Sequence, residues 1–451
     1  MGRRLIVVLS LALAVGIAFS PAFAEVQNVK VSGDLNMFGA IRNNFDLTRG
    51  PKGNTRNDDE SFFATQTRVR VDADLTDNVS AVVRLVNERR WDSDNNTNID
   101  LDLAYVGLKE FLYSPLSLTI GRQELVYGNK LILAKRSREN APNGIPSDLS
   151  IRKSFDAIKA VLNYDPLVVD LIYAKISEWV ADTSPSIRGV KNDANLFGVY
   201  ASYDVNRKLK ADVYGFYRHD RNKNALKAFP NDSRKDDTLY TLGTLISATP
   251  IENLKTSLEA AIQLGTNRKD SASQDSDNSR KAWALQAMAD YTLSNVKFTP
   301  TIGASFTHLS GDKGGQNGKR AWDPMYQDQT LNNITKAIIP FTNLNVINLK
   351  GSMKPTDDIT LCANFGFYMR DKKSEVNMLS PNEDSESKPY GEYAMTGKKY
   401  LGNALDLTAT YDYTEDVQFG LTAGWFIPGK AFDESNRRTA SQVIGSMKVT
   451  F

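Results

Sequence analysis

The chain has 451 residues, with 55 basic and 53 acidic side chains, a formal charge of +2, one cysteine and two histidines. Near-neutral charge leaves no electrostatic footprint for nucleic acid. Cys362 has no partner for an intrachain disulfide, and His219 and His308 are too few for a histidine-rich metal or catalytic centre.

At the start of the chain, Arg3 and Arg4 precede an apolar run from Leu5 to Phe19. Pro21 breaks the run, and Ala22-Phe23-Ala24 supplies the small-x-small pattern of a cleavage site. Residues 1–24 read as a signal peptide, and residues 25–451 as one mature domain that reaches the bacterial outer membrane through the periplasm. The run is short of the roughly 20 residues that a spanning helix needs. No second run of that length follows. Removal of Arg3 and Arg4 takes the charge from +2 to zero.

From Val29 onward apolar and polar residues alternate with a period of two, as in strands with one dry and one wet face. The alternation predicts 18 strands, at 29–42, 61–75, 78–90, 98–112, 116–126, 154–165, 167–179, 193–205, 208–221, 237–248, 254–265, 281–293, 296–309, 341–354, 357–371, 399–412, 416–428 and 438–451. Short connections (Thr76-Asp77, Tyr113–Pro115, Asp165-Pro166, Asn206-Arg207, Thr249–Asn253, Ser294-Asn295, Pro355-Thr356 and Tyr413–Glu415) fall at one end. Long ones (43–60, 127–153, 180–192, 222–236, 266–280, 310–340 and 372–398, with 91–97 and 429–437) fall at the other. This asymmetry, with no separate domain, predicts an all-β fold: a transmembrane antiparallel up-and-down barrel with tight periplasmic turns and long external loops. Its lumen is too wide for wall side chains to fill, and 127–153, 310–340 and 372–398 are candidates to fold into it. The last strand ends on Phe451, an aromatic terminus of the kind the barrel-assembly machinery reads.

Alternation assigns faces. Val69, Val71, Val79, Val83, Leu85, Leu101, Leu103 and Tyr105 are expected against lipid. Arg68, Arg70, Asp72, Asp74, Arg84, Glu88, Asp100, Asp102, Lys210, Asp212, Arg218, Lys255, Glu259, Arg370 and Asp406 are expected toward the lumen. Tyr105, Trp283, Tyr291, Tyr411, Phe419 and Trp425 suit interfacial girdles. A charge on the lipid face at mid-membrane costs about 2–4 kcal/mol, so the charged positions point to water or to one another. Paired inward charges either brace the wall or line a polar conduit for charged or hydroxyl-rich solutes. Cys362 alternates with the pore-facing set, although a small buried side chain is the plainer reading.

The stretch Leu118-Thr119-Ile120-Gly121-Arg122-Gln123-Glu124-Leu125 with Tyr127-Gly128-Asn129 resembles the alginate-export-type outer-membrane porins. So do Phe155-Asp156-Ala157, Ser310-Gly311-Asp312, Trp322-Asp323-Pro324-Met325-Tyr326, Leu405-Asp406-Leu407 and Phe426-Ile427-Pro428-Gly429. Ala157 stands where that family has Gly, and Ala404 where it has Glu. The resemblance implies a monomeric 18-stranded barrel whose electropositive constriction passes an anionic polysaccharide. It matches Arg122, Glu124 and Asp406 to family positions, and Gln123 sits within the first motif. Arg122 shares the parity of outward Leu118 and Ile120, so either a bulge turns it inward or it lies at the extracellular rim.

The expected function is passive passage of charged polysaccharide, oligosaccharide or small hydrophilic solutes, with outer-membrane lipid around the barrel and no cofactor. Two other classes compete. A structural or partner-binding barrel would have a plugged lumen. An outer-membrane lipase-type enzyme would need a nucleophile beside His219 or His308, and no serine is set convincingly beside either. Asp92–Asn96 and Asn57–Glu60 hold calcium-type ligands without the spacing of an EF-hand loop, and read as solvated loop.

Overall fold

The computed structural model describes residues 28–48, 59–91, 98–135, 145–176, 193–221, 237–266, 279–313, 319–381 and 391–451. The leader, the whole of 180–192 and 222–236, and the Asp92–Asn96 cluster lie outside these residues.

The strands are β1 (Asn28–Asn43), β2 (Glu60–Thr76), β3 (Val79–Arg90), β4 (Asp100–Leu108), β5 (Leu116–Glu124), β6 (Ser154–Asn163), β7 (Leu167–Ile176), β8 (Asp193–Asn206), β9 (Leu209–Arg221) and β10 (Asp237–Ala248). They continue with β11 (Leu254–Thr266), β12 (Ser279–Thr292), β13 (Thr301–Leu309), β14 (Leu344–Met353), β15 (Ile359–Met369), β18 (Tyr400–Asp412), β19 (Val417–Pro428) and β20 (Ala440–Thr450). A two-stranded ribbon, β16 (Met378–Leu379) with β17 (Glu392–Tyr393), and one turn of helix, α1 (Thr335–Ile338), lie in long connections. Each long strand pairs antiparallel with its neighbours in sequence, and β20 pairs with β1. The result is a closed 18-stranded barrel. Closure matters because every backbone donor and acceptor in lipid must find a partner within the sheet.

The expected alternation is present. Val31, Ile41, Val83, Leu171, Val213, Leu242, Ile262, Ile347, Leu407 and Leu421 are exposed on the outer surface. Their strand neighbours Arg42, Arg84, Ile172, Asp212, Thr241, Gln263, Asn348, Asp406 and Phe426 are buried on the inner one. Trp283, Tyr291, Tyr411, Phe419 and Trp425 are exposed on the outer face, as the girdle reading requires.

Two boundaries differ from expectation by four residues or more. The strand expected from 296 begins at Thr301, because Phe298 and Thr299 take positive φ values (70° and 44°) in a wider turn whose Phe298 carbonyl caps Lys354 N at 2.9 Å. The strand expected at 98–112 spans only Asp100–Leu108 and contains a bulge.

That bulge corrects two facings. Arg84 on β3 lies opposite Leu103, whereas the next residue, Leu85, lies opposite Leu101, so Asp102 is the extra residue. Leu103 is therefore buried at 3% exposure, and Tyr105 sits opposite inward Val82. Both were expected against lipid. Cys362 is also corrected: it is inward, between Ser352 and Thr408, and exposed rather than buried.

The loops make the interior a second packed body. Leu131, Ile132, Leu133, Trp322, Met325, Tyr326, Ile334, Ala337, Ile338, Tyr393 and Met395 cluster with inward wall residues such as Phe155, Leu196, Phe216, Leu344, Tyr368 and Phe426. This cluster takes no residue from β2–β5. Residues 132–135 and Tyr326 are joined by backbone bonds of 2.8–3.0 Å.

Candidate functional site: the lumenal charge array

The inner faces of β2–β5 carry an ion-pair ladder. At its periplasmic side, Arg70 forks onto Asp72 at 2.8 and 2.7 Å, and Arg68 donates Nε to Asp34 at 2.8 Å. Next along the wall, Arg84 donates to Asp102 at 2.6 Å and also contacts Glu124. Toward the long loops, Glu88 is fully buried and accepts from Gln66 Nε2 (2.9 Å), Ser150 Oγ (3.0 Å), Ile151 N (2.9 Å) and Arg152 Nε (2.8 Å). Arg152 also reaches Asp100 at 2.6 Å. A buried carboxylate persists only when so provided with donors. Arg68, Arg70, Arg84, Glu88, Asp100, Asp102 and Glu124 thus form one array. Arg152 contributes to it from outside the strands.

The remaining expected residues are elsewhere. Gln123 is buried and gives its amide to the carbonyls of Thr119, Gly121 and Ala157, which holds the wall backbone. Arg218 forks onto Asp323 at 3.1 and 2.7 Å, and Arg280 meets the same carboxylate at 2.5 Å. Burial works to raise the Asp323 carboxyl, but Arg218 and Arg280 outweigh it and hold the group below the usual carboxylate range. Asp406 accepts from Asn333 N (2.6 Å) and Asn332 Nδ2 (3.0 Å), and Arg370 donates to Ser374 O (2.7 Å). These three fasten loops to the wall.

Arg122 is a correction. Its neighbours Ala104 on β4 and Asp156 on β6 share the outward face with exposed Ile120 and Ile158. It forks onto Asp156 at 2.9 and 3.0 Å and donates to Leu101 O at 2.9 Å. The bulge at Asp102 lies on the neighbouring strand, and the β5–β6 register runs unbroken through Gly121 (φ 125°). Arg122 therefore stays on the outside, at the end bearing the long loops.

Where the inward loops meet, a second cluster forms. Asp328 accepts from Lys153 Nζ at 2.6 Å and Lys336 Nζ at 3.0 Å. Lys135 Nζ donates to the carbonyls of Ser147 (3.0 Å) and Ser150 (3.1 Å) and makes no ion pair among the described residues. Burial, with Lys336 adding to it, pushes the Lys135 ammonium down to about 8. Burial opposes ionisation of Asp328 too, yet Lys336 and Lys153 hold its carboxyl low. With Asp148, which also acts on Lys135, and its partner Arg42 included, four basic groups stand against two carboxylates at this junction among the described residues. Sequence alternation could not place them, because loops have no period. A usable signal was the apolar run Leu131-Ile132-Leu133-Ala134 inside a polar loop, which has no reason to face solvent.

Among the described residues neither histidine is shown beside a serine and a carboxylate in a triad arrangement. His308 lies on the outward face, with Nδ1 2.7 Å from Asn345 Oδ1 and its ring 4.0 Å from Trp283. The nearby Ser310 hydroxyl is engaged with the Arg320 carbonyl and Trp283 N. His219 stacks on Tyr217.

The alginate export family model matches residues 33–446, nearly the whole chain. The chain belongs to the alginate export family. The family and the barrel together make it an outer-membrane channel. No curated protein sequence matches the chain. Among solved structures it is similar to Pseudomonas aeruginosa OprD, with TM-score 0.53 and 11% identity over 95% of this chain and 97% of that one. It is also similar to P. aeruginosa OccK2 (OpdF) in complex with glucuronate, with TM-score 0.55 and 11% identity over 94% and 99%. P. aeruginosa OpdK with vanillate gives TM-score 0.52 and 10% identity over 94% and 99%. At such identities the likeness is one of fold.

Proposed function

We propose that this member of the family passes acidic saccharides, or small hydrophilic anions of similar charge, through a path beside the β2–β5 arc. The observation that carries the reading is the positive junction of Lys135, Lys153 and Lys336 around Asp328. It stands at the meeting of loops that narrow the lumen, where fixed charge acts most strongly on a passing ion. Next to it the ladder offers half-exposed guanidinia and carboxylates together, and these suit the hydroxyl and carboxylate groups of a sugar acid. A barrel of similar architecture has been solved with glucuronate, an acidic sugar. The strongly apolar loop packing favours short oligomers or single sugars over a bulky polymer.

The test is planar-bilayer recording of the purified barrel in a salt gradient, with and without added oligouronate. Anion-selective conductance that oligouronate blocks and a neutral oligosaccharide of equal length does not is the expected result. Cation selectivity would overturn the anionic reading. Complete absence of conductance would favour a barrel plugged by its loops.

A further inference from the structure

Four arginines are buried among the described residues: Arg42, Arg84, Arg280 and Arg370. Three of them meet carboxylates. Arg42 pairs with Asp148 at 2.5 Å, Arg84 with Asp102 and Glu124, and Arg280 with Asp323. Arg370, immediately after β15, is the exception. It is 5% exposed, its side chain gives one hydrogen bond, to Ser374 O, and it makes no ion pair among the described residues. The carboxylate next to it in sequence, Asp371, is taken up by Gly311 N at 3.0 Å and Lys372 Nζ at 3.4 Å. Burial pushes the Arg370 guanidinium down from its ordinary value, and no neighbouring charge acts against that. An arginine does not give up its proton in a protein. The charge therefore stays, and so does the cost of burying it without a counter-charge.

Arg370 lines a cavity of about 20 Å³. Ile339, Pro340, Val376, Met378 and Leu401 form its apolar sides, and no described acidic residue lines it. Its neutral polar groups are already engaged. Thr342 gives its hydroxyl to Trp322 O at 2.6 Å, Asn343 its amide to Lys372 O at 3.1 Å, and Asn377 its amide to Glu392 at 2.9 Å. Arg370 is thus the one charged residue lining the cavity among the described residues. Val376 and Asn377 are exposed, which gives the cavity a mouth to solvent. A space of this size holds one water or one monatomic ion, not an organic ligand. A water would satisfy a donor and leave the charge standing, whereas a monovalent anion does both. The apolar sides disfavour a doubly charged oxyanion, whose desolvation costs more.

We infer that Arg370 and the cavity it lines form a binding site for a single halide ion, with chloride as its natural occupant. The ion neutralises the guanidinium through charge-assisted hydrogen bonds, while Ser374 O holds Nη1 in place. The cavity draws its lining from three parts of the chain, 339–343, 370–378 and Leu401 of β18. An ion seated there fastens the segment leading into the β16–β17 ribbon to the wall. This reading is independent of what the lumen carries.

Crystals of the full-length barrel soaked in bromide test it, because bromide stands in for chloride and scatters anomalously. The expected result is an anomalous peak in contact with the Arg370 guanidinium in wild type and none there in Arg370→Gln. In detergent solution, heat-modifiable gel mobility is followed while sodium gluconate is replaced stepwise by sodium chloride at constant ionic strength, which holds screening fixed. The wild-type transition should rise saturably by about 2–3 °C, and that of Arg370→Gln should not move. Arg370→Lys should keep part of the chloride response, which a purely structural contact with Ser374 would not predict. If Arg370→Gln does not fold, the bromide map and the chloride response of wild type decide the matter alone. A wild-type map without a peak at Arg370 overturns the inference. So does a wild-type transition that chloride leaves where gluconate does, or an equal chloride response in wild type and a folded Arg370→Gln.

Discussion

The two sides of the lumen hold their loops by different physics. From β6 round to β20 the inner wall sets apolar residues among buried polar ones such as Asp212, Glu259 and Asp406, and residues 131–134 and 321–339 lie against it largely by burial of Leu131, Leu133, Trp322, Met325 and Ile338. On β3–β5 the wall is charged, and the stretch 150–152 is held by Glu88 and Asp100 instead. The contrast shows how one barrel can be both filled and wet. Burial fixes the loops on one side, and ion pairs keep a polar surface on the other.

The largest effect should come from the cluster of buried charge around Asp323. Asp323→Ala leaves buried Arg218 and Arg280 with only the more distant Asp237, at 3.8 and 4.0 Å, so stability is expected to fall by about 3–5 kcal/mol. The temperature at which folded gel mobility is lost should drop, and a variant as heat-resistant as wild type would contradict the assignment. Leu133→Ala removes a fully buried side chain from the loop core, with an expected cost of about 2–5 kcal/mol and noisier, larger conductance as the loop loosens. Unchanged current traces would mean that the 131–134 segment does not narrow the path.

On the charged side, Glu88→Gln should cost less, about 1–3 kcal/mol, but change ion selectivity more than Leu133→Ala does. The opposite ranking in reversal potentials would erase the distinction between the two arcs. Lys135 gives a pH signature. Its ammonium is present below about pH 8 and lost above it, so anion preference should fall as pH rises through 8, and Lys135→Gln should remove that step. A flat wild-type profile from pH 7 to 9 would refute it. The smallest effect concerns Cys362: a water-soluble maleimide should label it in the folded barrel with little change in heat stability, and failure to label would contradict its lumenal exposure.

Much of this was legible in the alternation, because strand parity is a local property and the lipid face at mid-membrane tolerates no stray charge. Arg68, Arg70, Arg84 and Glu88 could be turned inward from their neighbours alone. Parity failed where one residue was added: Asp102 reversed Leu103 and Tyr105 without any mark in composition. At Arg122 parity was right and the motif-based expectation of a pore role was not. The lysine junction was invisible for a third reason. Lys135, Lys153, Lys336 and Asp328 meet only because two distant loops zip together at Tyr326, and no periodicity encodes such a meeting.

The fastening of residues 319–343 has a mechanical consequence. This segment is tied to β9 and β12 through Asp323 and to β18 through Asn332 and Asn333, so it bridges two arcs of the ring. An empty cylinder of 18 strands would flatten readily under the lateral pressure of a bilayer. With struts anchored on separate arcs of the wall, the cross-section is held there, and the bore is set in part by the struts rather than by the tension of the surrounding membrane.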